Sequence, residues 1–253
     1  MDGEVLRDDQ WEKVKPFVPG GRKGKRGPRS DGRRFFDALL WMARSGGRWR
    51  DLPERFGPYQ TVKRRYYRWI EMGVFDRLFE AVVADPDLEW LAIDATVIRA
   101  QAQAAGGRRV KGGPEAQALG RSRGGFGTKL HAVVDALGLP LRFELGPGQQ
   151  NDMAPACGLV TGLASGKVIA DRAYDADSLH DVILEEGGQP VIPPRRHRKF
   201  QHGYDRNAYR HRWGIESFFA RLKQWRRIAT RYDKLAETFL GFVKLAAIMF
   251  WLK

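Results

Sequence analysis

Residues 209–223 read YRHRWGIESFFARLK. At about 100° per residue along a helix, Tyr209, Arg212, Glu216 and Lys223 fall within an arc of roughly 60°. A neighbouring arc holds Ala208, Ile215, Phe218, Phe219 and Leu222. The apolar arc is expected to be buried. At its margin the spacing leaves one carboxylate between two cations, a place where a divalent metal and a phosphodiester could meet.

Two further carboxylates follow runs of aliphatic and β-branched residues that read as buried strands: Asp94 in LAIDATVI (91–98) and Asp171 in KVIADRAYD (167–175). An aspartate in or at the end of such a strand costs several kcal/mol of desolvation unless something compensates it, and a cation is the obvious compensator. Three carboxylates on two strands and a helix match what two hard, oxygen-seeking Mg²⁺ ions need around a scissile phosphate. Taken singly, each residue also has a plain structural reading. An Asp ending a strand is commonly a turn former or cap, and a Glu flanked by Arg and Lys is commonly a solvated ion-pair face. The complete Tyr-x2-Arg-x3-Glu-x6-Lys spacing is far more specific than any one of them.

With that spacing the chain resembles the DDE transposases of bacterial insertion sequences, in particular the insertion sequence 5 group with its Tyr-Arg-Glu-Lys signature. Tyr209, Arg212, Glu216 and Lys223 match the signature without a gap, and the resemblance extends to IADRAYDAD, GRSRGGFGTKLHAVVDALGLPL and IDATVIRA. It implies a ribonuclease-H-like mixed sheet flanked by helices, with Asp94, Asp171 and Glu216 as a catalytic, metal-binding triad. It further implies two Mg²⁺ ions, for which Mn²⁺ can substitute, and an activity that cleaves the ends of the element and transfers 3′-hydroxyls to target DNA. Where relatives often carry a pair of histidines after the first aspartate, this chain has Gln101 and Gln103. Two other classes stay open on the sequence: a metal-dependent nuclease that cuts without joining, and an inactive or repurposed DNA-binding relative.

Charge points the same way. The 253 residues carry 44 Lys and Arg against 30 acidic residues, a net charge of +14, which favours a polyanionic partner, nucleic acid above all; the resemblance implies double-stranded DNA. A ribosomal or histone-like protein would share the charge but seldom the 43% hydrophobic and 11% aromatic content. The single Cys157 excludes an internal disulfide and a cysteine-based zinc site. His197, His202 and His211 lack zinc-ligand spacing. GLASGKV (162–168) has the wrong glycine spacing for a P-loop, so no nucleotide cofactor is expected. The apolar run 238–252 contains Lys244 and is too short to span a membrane. It reads as a buried helix. A cytoplasmic, nucleoid-associated protein is the expectation.

The order of elements sets the expected organisation. Residues 1–86 read as a small all-helical, helix-turn-helix-like DNA-binding domain. LRDDQWEKVKPFVP (6–19) begins it with a short helix that Asp8 or Asp9 could cap. Within this domain, the glycine-rich arm 20–34 carries Arg22, Lys23, Lys25 and Arg26, which would neutralise phosphates. Three helices follow, in RFFDALLWMARS, PYQTVKRRYYRWIEMG and FDRLFEAVV, and the second sets Lys63, Arg64, Arg65 and Arg68 among aromatic residues as a DNA-contacting face. Residues 87–253 read as the catalytic domain, opening with the Asp94 strand and a mobile basic loop over 99–125. A hairpin (GTKLHAVVDALGLPLRFELG) comes next, in which Lys129 could reach phosphate, His131 is a packed strand residue and Asp135 belongs to the turn. Helices over 152–163 and 177–186, a strand in QPVIPP and the basic loop PPRRHRKFQHGYDR lead to the Glu216 helix. Tyr209, Arg212 and Lys223 would touch DNA there. A homodimer is expected on DNA because two ends must be brought together.

Overall fold

A computed structural model of the chain describes residues 5–19, 31–105, 115–122 and 124–253. The arm cations Arg22, Lys23, Lys25 and Arg26 lie outside the described residues. The chain forms two compact units, one from Met1–Ala84 together with Leu222–Lys253 and the other from Asp85–Arg221. The first unit thus breaks between Ala84 and Asp85. The C-terminal segment clusters with the N-terminal helices, whereas the sequence reading takes residues 87–253 as one body.

The first unit begins with helix α1 (Asp8–Val14), which is capped at Arg7, with Asp8 and Asp9 in its first turn and not at the cap. Helix α2 (Gly32–Ser45) starts where the Asp31 side chain accepts from the Arg34 amide, so residues 32–34 open this helix and do not belong to the arm. It stops at Gly46, whose φ of 66° is a conformation that suits glycine. Phe35, Phe36, Leu39, Leu40 and Met42 form its buried side. Two 3-10 turns then lead to α3 (Tyr59–Glu71), and a short turn at Met72–Gly73 leads to α4 (Val74–Val82). Helix α3 buries Val62, Tyr66 and Trp69, leaving Arg64 and Arg68 outward.

The second unit is built on a sheet. Strand β1 (Leu91–Ala100) is followed by a one-turn helix, α5 (Ala102–Ala105), then by β2 (Gly120–Ser122), β3 (Gly125–Val134) and β4 (Pro140–Pro147). Part of the stretch expected as a loop over 99–125 is strand: β1 runs to Ala100, and Gly120–Ser122 pair with Gly125–Gly127 of β3. Helix α6 (Ala156–Val160) is shorter than the expected 152–163 because it starts only after Pro155. Strand β5 (Lys167–Ala170), helix α7 (Asp177–Glu185) and strand β6 (Gln189–Val191) follow. The strand order is β2-β3-β1-β5-β6, with β4 also paired to β3. Strands β1 and β3 are antiparallel while β1, β5 and β6 are parallel, so the sheet is mixed. The helix expected through 209–223 is interrupted: α8 (Arg206–Tyr209) passes through a 3-10 turn, Arg210–Arg212, into α9 (Trp213–Leu222).

The chain returns to the first unit through α10 (Arg226–Ala229) and the long α11 (Ala236–Trp251). Helix α11 is buried on nearly every side, as an apolar helix inside a helical cluster should be. Tyr66 stacks on its Phe242 at 4.6 Å and donates from its hydroxyl to the Thr238 carbonyl at 2.5 Å. No helix among the described residues is long and apolar enough to cross a membrane.

Candidate active site

The parallel register of β1 and β5 brings two of the carboxylates together. Leu91, Ala92 and Ile93 pair with Val168, Ile169 and Ala170, so the next residue on each strand is an aspartate, Asp94 on one and Asp171 on the other. Asp171 keeps an extended backbone (φ −77°, ψ 174°), which continues the alternation of side chains by one residue. The two carboxylates therefore share a face where β5 ends alongside the middle of β1. Asp171 also caps the following turn, its Oδ1 accepting from the Ala173 amide at 2.7 Å.

The third carboxylate arrives from the helix over that face. Strand pairing sets Asp94 opposite Ala132, and Ala132 opposite Phe143, while Phe143 stacks on Phe218 of α9 at 6.0 Å. This packing lays α9 across the sheet with Glu216 on its exposed side. Arg212, one helical turn earlier, bridges the group: its Nη1 donates to Asp94 Oδ2 at 2.9 Å and its Nη2 donates to Glu216 Oε1. A planar fork with donors on two nitrogens suits such a bridge in a way that a lysine would not.

Asp94 is strongly perturbed by this arrangement. Burial pushes its carboxyl up to about 6, against the opposing pull of the Ala95 amide and the Arg212 guanidinium, with Asp171 and Asp152 adding repulsion. Its Oδ1 accepts from the Ala95 amide at 2.7 Å. A buried carboxylate that stays costly to ionise beside one arginine is a donor that gains from a further cation. All three donors are carboxylate oxygens, so the set fits a hard divalent ion such as Mg²⁺ or Mn²⁺ better than one that prefers nitrogen or sulfur.

Tyr209 ends α8, whose N-cap Asp205 accepts from the Asn207 and Ala208 amides and pairs with Lys167 of β5 at 2.9 Å. That pair ties α8 to the strand leading to Asp171. The Tyr209 ring meets Tyr204 edge-on at 5.5 Å, and burial raises its hydroxyl pKa. Lys223 is exposed just beyond the end of α9. Lys129 is committed elsewhere, its Nζ lying 2.7 Å from Asp152 Oδ1 and donating to the Gln150 carbonyl at 3.0 Å. Its strand neighbour His131 is fully buried, with neither ring nitrogen hydrogen-bonded among the described residues, and burial drives its pKa down to about 4. His131 is therefore a neutral packed residue. Asp135 belongs to its turn, accepting from the Leu137 and Leu139 amides at 3.0 and 2.8 Å.

On α3 the four basic residues separate. Arg64 and Arg68 are exposed and line a groove of about 540 Å³ with Thr61, Trp69 and Met72, while Lys63 lies 5.7 Å from the Tyr67 ring. Arg65 lines the same groove, and its guanidinium covers the Phe35 ring at 4.2 Å and donates to the Asp31 and Pro19 carbonyls. Sequence reasoning missed a cleft beside the α9 N-terminus in which Trp90 stacks on His211 at 4.4 Å, with the exposed Trp213 among its lining. Trp213 directly follows Arg212 in the signature.

Residues 85–251 match a family model described as "Transposase DDE domain", and residues 6–79 match one described as "Putative transposase of IS4/5 family". The chain belongs to the DDE transposases. Among relatives, a Sinorhizobium fredii protein named y4sN is 67% identical over 113 residues, covering 45% of this chain and 90% of its own length. A Brucella ovis protein described as "Putative transposase for insertion sequence element IS6501" is 47% identical over 130 residues, half of this transposase and 98% of its own length. A Burkholderia cepacia counterpart for IS402 is 30% identical over 49% of this chain and 62% of its own. The piggyBac transposase in its synaptic complex with hairpin DNA shares the fold, with a TM-score of 0.51 at 12% identity over 96% of this chain and 71% of that one.

Proposed function

We propose that this transposase binds the ends of its own insertion sequence, hydrolyses phosphodiester bonds there and joins the freed 3′-hydroxyls to target DNA. The observation that carries the proposal is the register of β1 and β5, which sets Asp94 and Asp171 side by side, with Arg212 joining Asp94 to Glu216 from α9. Asp94, Asp171 and Glu216 are the residues that would hold two divalent ions, Mg²⁺ with Mn²⁺ as a substitute. Such ions supply activation of the attacking oxygen and neutralisation of the leaving one. Arg212 offsets the repulsion between the carboxylates and is placed to turn its guanidinium to a phosphate oxygen. Tyr209, held by Tyr204 and the Asp205–Lys167 pair, orients the backbone beside Asp171. Lys223 adds a cation for the flanking phosphates.

Binding of duplex DNA is assigned to the N-terminal helices and arm. Arg64 and Arg68 on α3 present exposed cations and Lys63 a half-buried one, and Arg22, Lys23, Lys25 and Arg26 would join them. The exposed Arg195, Arg196 and Lys199 between β6 and α8 stand close to the Asp171 turn, because Arg195 donates to the Ala173 carbonyl at 2.6 Å. They would hold DNA near the carboxylates. Two element ends require two active sites, so the working form is a homodimer on DNA in the bacterial cytoplasm.

The deciding experiment is cleavage of labelled duplexes from the DNA flanking the gene, with and without Mg²⁺, beside Glu216→Gln. Nicks at defined ends that need both metal and Glu216, followed by strand-transfer products, support the proposal. Cleavage without joining reduces it to a nuclease. Specific binding with no cleavage in Mg²⁺ or Mn²⁺ refutes it in favour of an inactive DNA-binding relative.

A further inference from the structure

A second cluster of ligating side chains lies in the Asp85–Arg221 unit. Asp175 follows the turn after Asp171, His180 sits on α7 and His202 comes from the basic segment between β6 and α8. Asp175 Oδ1 is 3.3 Å from His180 Nε2 and 3.2 Å from His202 Nε2, and all three atoms lie within 4.8 Å of one another. The Asp175 side chain is fully buried, and the two imidazoles are largely so.

Hydrogen bonding alone leaves this cluster unfinished. His202 Nδ1 lies 3.2 Å from the Gly203 carbonyl, which can only accept, so that nitrogen carries the proton. Its Nε2 lies 3.2 Å from Asp175 Oδ1, an oxygen that already accepts from Arg198 Nη1 at 2.7 Å. His180 Nε2 is buried with no hydrogen-bond partner among the described residues. Metal-bound histidines characteristically donate their second ring nitrogen to a carbonyl, as His202 does. With ligand bonds of about 2.0–2.2 Å, donors in a tetrahedral zinc site stand roughly 3.3–3.5 Å apart, close to both Asp175–imidazole separations.

We propose that Asp175, His180 and His202 bind one divalent cation of the imidazole-preferring kind, Zn²⁺ in preference to Mg²⁺, at a site separate from Asp94, Asp171 and Glu216. The competing cation is Arg198, whose Nη1 donates to Asp175 Oδ1 at 2.7 Å and whose Nη2 pairs with Asp177. On metal binding Arg198 gives up Asp175 and keeps Asp177. Asp175 Oδ2 stays on the Arg195 amide at 2.7 Å. The ion fastens the basic segment to α7 and to the turn that carries Asp171. This inference does not rest on the transposition reading, since it concerns metal binding alone.

The test is a Zn²⁺ titration of the full chain, stripped of metal, against a chromophoric chelator, repeated with Co²⁺ to read ligand geometry from its visible absorption. One equivalent bound at micromolar or lower concentration, undisturbed by excess Mg²⁺ and retained in Glu216→Gln, is expected. His180→Ala and His202→Ala should each weaken binding by about tenfold or more. The titration of the unsubstituted chain stands without any variant: failure to bind Zn²⁺ overturns the proposal. Binding unchanged in both histidine variants, or lost in Glu216→Gln, overturns it as well.

Discussion

Replacing Asp94 by Asn should stabilise the metal-free protein at neutral pH. Burial raises the Asp94 carboxyl from 3.8 to about 6, which at about 1.36 kcal/mol per pH unit amounts to about 3 kcal/mol. The side chain is 20% exposed, and solvent screening reduces the expected effect to about 1–3 kcal/mol. The folded state holds the Asp94 proton more tightly than the unfolded state, so this contribution favours folding at low pH. It is lost as pH rises from 3.8 towards 6 and stays lost above that. Asn cannot ionise, and Arg212 keeps Glu216 as a partner. Urea denaturation in chelator should therefore show Asp94→Asn more stable than the parent at pH 7.5, with the gap closing towards pH 4. Adding Mg²⁺ should stabilise the parent by binding linkage and leave the variant nearly unmoved. A variant less stable than the parent at pH 7.5 in chelator would refute the reasoning, because the carboxylate would then be satisfied without metal.

Glu216→Gln should lower cleavage by about a hundredfold or more, from loss of a charged group at the reacting phosphate, while filter binding of duplex DNA changes little. Reversing Arg64 and Arg68 to Glu should weaken binding across all sequences and flatten the log–log salt dependence by roughly one unit for each phosphate left without its cation, measured by fluorescence anisotropy. His131, held near 4 by burial, binds its proton more weakly folded than unfolded. Its contribution is full above about pH 6.5 and lost as pH falls towards 4, by about 3 kcal/mol, and His131→Phe should flatten that limb in equilibrium unfolding. Tyr66→Phe removes the bond to the Thr238 carbonyl and should cost about 1 kcal/mol or more in the same assay.

The strands bearing Asp94 and Asp171 are legible because continuous apolar runs imply strands buried on both faces, and the α11 segment is legible as a buried helix for a similar reason. Their partners are not. An apolar run states that it must be covered but not by what, so the clustering of Leu222–Lys253 with the N-terminal helices has no signature in the sequence. The parallel β1–β5 register is likewise a tertiary fact, although one consequence of it, Asp94 and Asp171 in one triad, is implied by the family resemblance. Local breaks escape as well. Helical periodicity through 209–223 cannot reveal the 3-10 turn at Arg210–Arg212, and β2 has only three residues, GRS, with no alternation to read. In sequence His202 groups with His197 and His211, while its neighbour in space is His180 across β6.

Arg212 explains why the signature can be read at all. Arg212 and Glu216 are four residues apart, a spacing that places side chains on one face of a helix, and the 3-10 turn ending at Arg212 leaves their pairing intact. The second half of the fork, to Asp94, crosses from the helix to the sheet over 118 residues of chain. One residue type thus satisfies a local rule and a distant one together. A lysine in its place would meet the local rule with equal ease but has no second nitrogen for Asp94. The distant half fixes the identity of the arginine, so the residue type carries tertiary information that spacing alone does not.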